Sequence, residues 1–486
     1  MDILRKTIKK LTDAEYQALI HEVSGKKKNK PFMVLEAARN SNNIDDTEMM
    51  ETLQVNPSAY YTLKSRLNSK IASVLSQKVE SPVKGLMDEV IKVPACLYAE
   101  NREFSIRALV ELEKQLKEYD MSNELITVYK TLAQLNLFTD DYEYYDKLYN
   151  KHVAYALAVS KAEQLFFQFI KHLGNYLLTK EHEDLEKVII IKREMENICE
   201  LYESHRLYVL FNIVRIYYMC NVPDKRESLK VHELEIETVL NRIAETFDKY
   251  PNDNFYTNVK PLVDALYFEY FQKIGNQVRA DFYFEKLDKS IPDLFGKPAM
   301  AFFNIQFLNC KIEKFLADGN IDALTAINNE LEKSVDFSEK EAYHLVSYKR
   351  YLALCKYYQK DFHGSAKTIN DARNRLSMKS YLHTDVDNKL LQALNYCIMG
   401  EDGLCMQIIS SLKRQIAEEG TEYNNVDIFI KILKTALKPC EFRKKVKRIS
   451  DLMPQFELAN KGSKKVLEHI RIDEVVIRKM TNPIKE

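Results

Sequence analysis

Residues 124–149 read ELITVYKTLAQLNLFTDDYEYYDKLY. Leu125, Val128, Leu132 and Leu135 recur every three or four residues, the interval at which side chains return to one face of an α-helix. Polar residues around Asp140 interrupt the pattern, and Tyr142, Tyr145 and Tyr149 take it up again. The same spacing runs through 159–178 (VSKAEQLFFQFIKHLGNYLL) in Leu165, Phe169, Leu173 and Leu177. Helix, short polar turn, helix is therefore the local plan. Long alternating runs of the kind that make half-buried strands are missing from the whole chain.

Outward from this stretch the turns recur. They fall near Asn101, Asp140, Lys180, Val222-Pro223-Asp224, Gly275-Asn276, Asp318-Gly319-Asn320, Lys360-Asp361, Gly400-Glu401-Asp402-Gly403 and Lys438-Pro439. The steps are about 37 to 43 residues, with one of about 54 around 222–276, and such a period is the mark of stacked helical hairpins. The spacing predicts two helices in each interval, and a longer helix or a loop insertion (SLKVHELEIE) in the wide one. The physical cause is burial. One hairpin cannot cover both of its apolar faces, so it stacks on the next.

Tyr129, Leu132 and Ala133 followed by Asp141, Tyr142, Tyr145 and Tyr149 resemble a tetratricopeptide repeat. So do Tyr351, Leu354, Cys355, Tyr358, Asp361, Phe362 and Ala366. The resemblance implies an all-α chain. Over 81–455 it implies a divergent, right-handed superhelix of eight or nine antiparallel helix hairpins. Residues 456–486 would be a capping helix or tail. It also implies a peptide or protein partner held in the concave groove. Paired aromatics at 60–61, 144–145, 166–167, 217–218, 302–303 and 357–358 point about 100° apart on a helix, so one of each pair can be buried while the other lines a surface. Tyr145 and Tyr358 are the groove-facing candidates.

Residues 1–80 differ. Helices are expected at 12–23, after a Thr12/Asp13 cap, and at 31–39, with Lys26, Lys27, Lys28 and Lys30 between them. The stretch 46–75, DTEMMETLQVNPSAYYTLKSRLNSKIASVL, resembles a helix-turn-helix held together by Met49, Leu53, Val55, Tyr60 and Leu63. In that resemblance Gln54 stands where the turn needs a left-handed residue, commonly Gly. The second helix, starting near Pro57 and Ser58, would offer Ser58, Ala59, Tyr61, Thr62 and Ser65 to base edges, with Lys64 and Arg66 near phosphates. The 80 residues carry 13 basic and 10 acidic side chains. That surplus is small for a lone duplex-binding domain, so a helical packing or protein-docking module is the preferred reading of this segment. The chain is expected to be a protein-interaction scaffold, with a regulator that binds DNA through 46–75 and senses a peptide or protein through its repeats as the alternative.

Composition excludes other classes. The 486 residues hold 71 basic and 71 acidic side chains, so no global field draws nucleic acid or membrane. Gly is only 11 residues, which argues against glycine-rich nucleotide loops. The eight cysteines are scattered with no CxxC, as expected of reduced, buried thiols in a cytoplasmic protein. No secretory leader, apolar span of membrane length, HExxH, GxSxG or P-loop is present. A non-enzyme without metal or cofactor is expected. The sharpest charge run, 442–448 (FRKKVKR), sets Arg443, Lys444, Lys447 and Arg448 along one side of a helix and Phe442, Val446 and Ile449 along another. It is a solvated terminal face or a contact for an acidic partner.

Overall fold

The computed structural model describes residues 8, 16, 19, 20, 23, 29–40, 46–77, 82–222, 228–251, 253–288, 301–320, 337, 341–419 and 423–482. Among them every regular element is a helix, and none is long and apolar enough to cross a membrane. The chain divides into two compact units, residues 1–89 with 252–254 and residues 90–251 with 255–486.

In the smaller unit α1 (Lys30–Asn40), α2 (Asp46–Leu53) and α3 (Pro57–Gln77) share a core that includes Leu35, Met49, Leu53, Tyr60 and Leu67. All five apolar positions expected to hold the unit together lie in this core or pack against it. Asn56 caps α3, its Oδ1 accepting from the Ala59 N–H at 2.8 Å. Asp46 fastens the start of α2 to α3. The Tyr60 hydroxyl donates to its Oδ1 at 2.9 Å, and Lys64 Nζ donates to the same carboxylate at 3.1 Å. Burial pushes the Asp46 pKa up. Hydrogen bonds to the carboxylate, those from Tyr60 and Lys64 among them, together with the Lys64 charge, outweigh it and hold the carboxyl at about 2. The cap expected at Thr12 and Asp13, and Lys26 to Lys28, lie outside the described residues.

α4 (Pro82–Val90) and a 3-10 turn (Val93–Tyr98) lead into the larger unit. There follow α5 (Arg102–Glu118), α6 (Ser122–Leu135), α7 (Asp141–Thr179), α8 (His182–Leu201), α9 (His205–Asn221), the one-turn α10 (Ser228–Val231), α11 (Glu233–Lys249), α12 (Asn254–Ile274), α13 (Gln277–Asp288) and α14 (Ala301–Asp318). Then come α15 (Ala342–Tyr358), α16 (Phe362–Arg375), α17 (Leu382–Met399), α18 (Asp402–Glu419), α19 (Asn424–Leu437), α20 (Phe442–Ala459) and α21 (Glu474–Thr481). Consecutive helices pack on one another: α5 on α6, α8 on α9, α15 on α16, α17 on α18 and α19 on α20. The segment after 456 joins the same core through Phe456, Val466, Leu467, Ile470, Ile477 and Met480, and α21 lies against α17, α19 and α20.

Each break read from the sequence falls at a helix end, and local chemistry explains why. The Asn101 side chain accepts from the Phe104 N–H, and that of Asp361 from the Gly364 N–H, each satisfying an amide that the first turn leaves free. Gly275, Gly319 and Gly400 take φ of 82°, 71° and 76°, which stops a right-handed helix without a Cβ clash. Lys180 and Lys360 do the same without being glycine.

One interval departs from expectation. Between Asp140 and Lys180 there is a single helix, α7, unbroken for 39 residues, or about 58 Å at 1.5 Å per residue. The reason is local. Residues 151–165 (KHVAYALAVSKAEQL) contain no Pro or Gly and are rich in good helix formers. The length carries the end of α7 to helices far along the chain. Gly174 lies so close to α15 that a Cβ there would sit 3.3 Å from the Tyr343 ring. The Thr384 hydroxyl in α17 donates to the Leu178 carbonyl at 2.6 Å, and Phe166 stacks on Phe303 of α14. Packing in this unit thus includes closure between distant helices as well as contact between neighbours.

The closure buries α17 on nearly all sides, although its first turns read HTDVDNK. Asp385 receives Arg373 Nε at 2.8 Å, Lys389 Nζ at 3.0 Å and Gln415 Nε2 at 3.0 Å. Asp387 receives Arg350 at 2.6 Å and the Leu467 N–H at 2.7 Å. Buried charges persist where each is paired and hydrogen-bonded.

Candidate functional site

α2 and α3 are helices at the positions the sequence predicts. Gln54 takes φ 52° between the two helices, so the chain adopts the left-handed turn without a glycine. The Val55 N–H donates to the Met50 carbonyl at 3.2 Å, and the Gln54 N–H to the Glu51 carbonyl at 3.1 Å, which close the end of α2. Because Tyr60, Leu67 and Ile71 face the core, the opposite side of α3 is open. Ser58, Ala59, Tyr61, Thr62, Ser65 and Arg66 are exposed there, as are Asn68 and Lys70. Lys64 differs from the others. It is half-buried, bound to Asp46, and lies over the Tyr60 and Tyr61 rings. Arg66 and Lys70 are the exposed cations of α3.

In the larger unit Arg443, Lys444, Lys447 and Arg448 are all exposed over the first two turns of α20. Ile449 is buried beneath them, Val446 packs against the core, and Phe442 remains 44 % exposed. Lys445 turns away and donates to the Ala436 carbonyl at 2.8 Å. Cations near a helix N-terminus oppose the macrodipole, and of these four Lys444 is paired with Glu441 at 3.1 Å.

The two tyrosines differ. Tyr145 is half-buried and stacks edge-on against Tyr144, which is 57 % exposed. Tyr358 is bolted inward: its hydroxyl donates to the His469 carbonyl at 2.6 Å and accepts from the Arg471 N–H at 3.3 Å. Burial pushes its pKa up to about 12. The rule of one buried aromatic per pair holds at 60–61 and 166–167. At 217–218 and 302–303 both rings are buried, because helices cover both sides there.

A cleft along α11, α12 and α13 was not singled out by the sequence. It measures about 430 Å³. Tyr267 and Tyr283 stack in it at 4.5 Å, beside Phe271 and an Arg279–Glu237 ion pair of 2.8 Å, and Val278 and Phe282 stay largely exposed at its rim. Only the apolar surplus on α13, VRADFYF at 278–284, could have signalled it.

His383 also escaped notice. Burial, with Lys180, Arg350 and Lys464 nearby and Glu468 opposing them, pulls its pKa down to about 3. The folded chain therefore keeps this imidazole neutral, whereas the unfolded chain protonates it near 6.5. Unfolding takes up a proton between those values. Its contribution is complete above about pH 6.5 and falls on acidification by up to ~1.4 kcal/mol per pH unit. In urea titrations at pH 7 and pH 5, His383→Phe is expected to lose less stability on acidification than the parent. An equal loss in both would assign the acid sensitivity to other groups.

Among the described residues no group of three or more His, Cys, Asp or Glu side chains is arranged to hold a metal ion. No family model matches this chain, and no curated protein or solved structure matches it either.

Proposed function

We propose that the chain is a non-catalytic regulator: residues 46–77 dock on duplex DNA, and the helices beyond residue 90 form a tetratricopeptide-like superhelix that receives a peptide or protein partner. The observation that carries the reading is Gln54. Left-handed backbone is uncommon for a non-glycine residue, and although Asp120, Lys180, Lys360 and Leu467 adopt it too, at Gln54 it falls where a helix-turn-helix requires it. The polar, exposed flank of α3 supports it further, since Thr62, Ser65 and Arg66 have the side chains that read base edges and phosphates.

The test is fluorescence anisotropy of the full-length chain on a labelled random duplex between 50 and 200 mM salt. Affinity is expected to fall steeply with salt, and Arg66→Ala and Lys70→Ala are each expected to flatten the log–log slope by about one unit. Lys64→Ala acts chiefly on stability, because Lys64 is tied to Asp46. Absence of binding at 50 mM salt would remove the DNA component.

The α11–α13 cleft favours a second reading, a scaffold with no nucleic-acid role. Stacked tyrosines beside exposed Phe282 and Val278 suit an apolar peptide anchor.

A further inference from the structure

One end of the α5–α6 hairpin leaves large apolar side chains in water. Arg102, at the start of α5, donates through Nε to the Leu135 carbonyl at 2.6 Å and through Nη2 to Asn136 Oδ1 at 3.0 Å. That tie holds the start of α5 beside the end of α6, where the turn into α7 begins. The 3-10 turn that ends in Tyr98 packs on α5 and α6 and leads into the Asn101 cap. Tyr98, Phe104, Leu137 and Phe138 at these ends are 88 %, 71 %, 53 % and 96 % exposed. Three rings, each with about 150–250 Å² to bury, are thus left mostly uncovered. Single exposed apolar residues are ordinary, but several hundred Å² gathered at one end of a hairpin mark an interaction surface.

The charges beside the patch choose its partner. Glu100, Glu103, Asp140, Asp141 and Glu143 are exposed in the same two segments, and none of them forms an ion pair with a described residue. Over 98–104 and 136–143 the one cation is Arg102. Such a rim repels nucleic acid and anionic lipid. A second copy docked face to face would set the same five carboxylates against these. An extended peptide needs a strand edge for its amides, and among the described residues every regular element is a helix. A helix satisfies its own backbone, and an amphipathic one can lay an apolar stripe on the rings while its cations reach the acids. We propose that this end of the α5–α6 hairpin docks a basic amphipathic helix of another protein. Apolar side chains of that helix cover Phe104, Leu137 and Phe138, and its Lys and Arg side chains meet the carboxylates. The surface shares no residue with α3 or with the α11–α13 cleft, so the inference goes beyond both readings above and depends on neither.

The test is fluorescence anisotropy of a labelled amphipathic helix of Leu, Ala and Lys, about 18 residues long, titrated with the full-length chain at about 100 mM salt. Two control peptides accompany it. One carries Glu at every Lys position, and the other has the same composition in an order that forms no apolar stripe. The basic probe is expected to bind with a Kd of about 10–100 μM, and each control at least about tenfold more weakly. Phe138→Ala and Glu100→Lys change exposed side chains, so circular dichroism of both variants is expected to match the parent. Each is expected to weaken the probe about tenfold. Raising the salt to about 500 mM is expected to weaken the parent more than Glu100→Lys. Sedimentation velocity of the chain alone, with and without Phe138→Ala, reads self-association. The proposal is overturned if the basic probe does not bind, if a control peptide binds as well, or if either variant binds the probe like the parent. It is also overturned if the chain alone forms a dimer that Phe138→Ala dissociates, which would make a second copy the occupant.

Discussion

Asp385→Ala is expected to destabilise the larger unit by about 3–5 kcal/mol, the usual loss when one member of a buried ion pair is removed. The carboxylate is buried and serves three partners from three helices, Arg373 on α16, Lys389 on its own α17 and Gln415 on α18. Lys389 is itself buried, and without Asp385 it keeps only the Gln415 Oε1 contact at 2.5 Å. An uncompensated ammonium in the interior then outweighs the loss of one small side chain. Asp385→Asn keeps the shape and some of the hydrogen bonding but not the charge, so a smaller loss of about 2 kcal/mol is expected. Far-ultraviolet circular dichroism in urea reads both variants, since the chain has no tryptophan. A loss below ~1 kcal/mol for Asp385→Ala would show that the network holds α17 without this carboxylate.

The helix ends were legible in the sequence because their causes are local. Asn101 and Asp361 cap within three residues of themselves, and Gly275, Gly319 and Gly400 end helices through their own backbone. The α2–turn–α3 unit was legible for the same reason, even with Gln54 in place of glycine. Two features were not. α7 was read as two helices because a period of about 40 residues was imposed on a segment that has no breaker. The buried polar helix α17 gave no signal, because its partners lie far off. Thr384 bonds Leu178, 206 residues away, and Asp387 bonds Leu467, 80 residues away. A run such as HTDVDNK reads as a solvated face until the closure of α7 onto α15 and α17 is known. The polar wall around His383 follows from that closure, so it too lay beyond local pattern. The surface candidates Arg443, Lys444, Lys447 and Arg448 were legible because exposure of a charge run needs no distant partner.

Lys311 provides the second large effect, and its sign depends on which partner is removed. The side chain is fully buried, donates to Asp288 at 2.7 Å, and lies near the Phe284 and Phe315 rings. Burial pulls its pKa down, and the hydrogen bond and charge of Asp288 only partly restore it. Asp288→Ala removes the counter-ion and leaves the ammonium among aromatic rings. The expected loss is about 3–5 kcal/mol. Lys311→Met fills similar volume without a charge to desolvate. The Asp288 side chain left behind is 22 % exposed and can be hydrated. That change is expected to lie within about 1 kcal/mol of the parent, or to stabilise. In the double variant the Asp288→Ala penalty should largely vanish, because no buried cation remains to be stranded. The three measurements form a cycle whose coupling term is the pair itself. If Lys311→Met costs as much as Asp288→Ala, the ion pair is a net contributor to folding, and the view that Asp288 chiefly prevents a stranded charge fails.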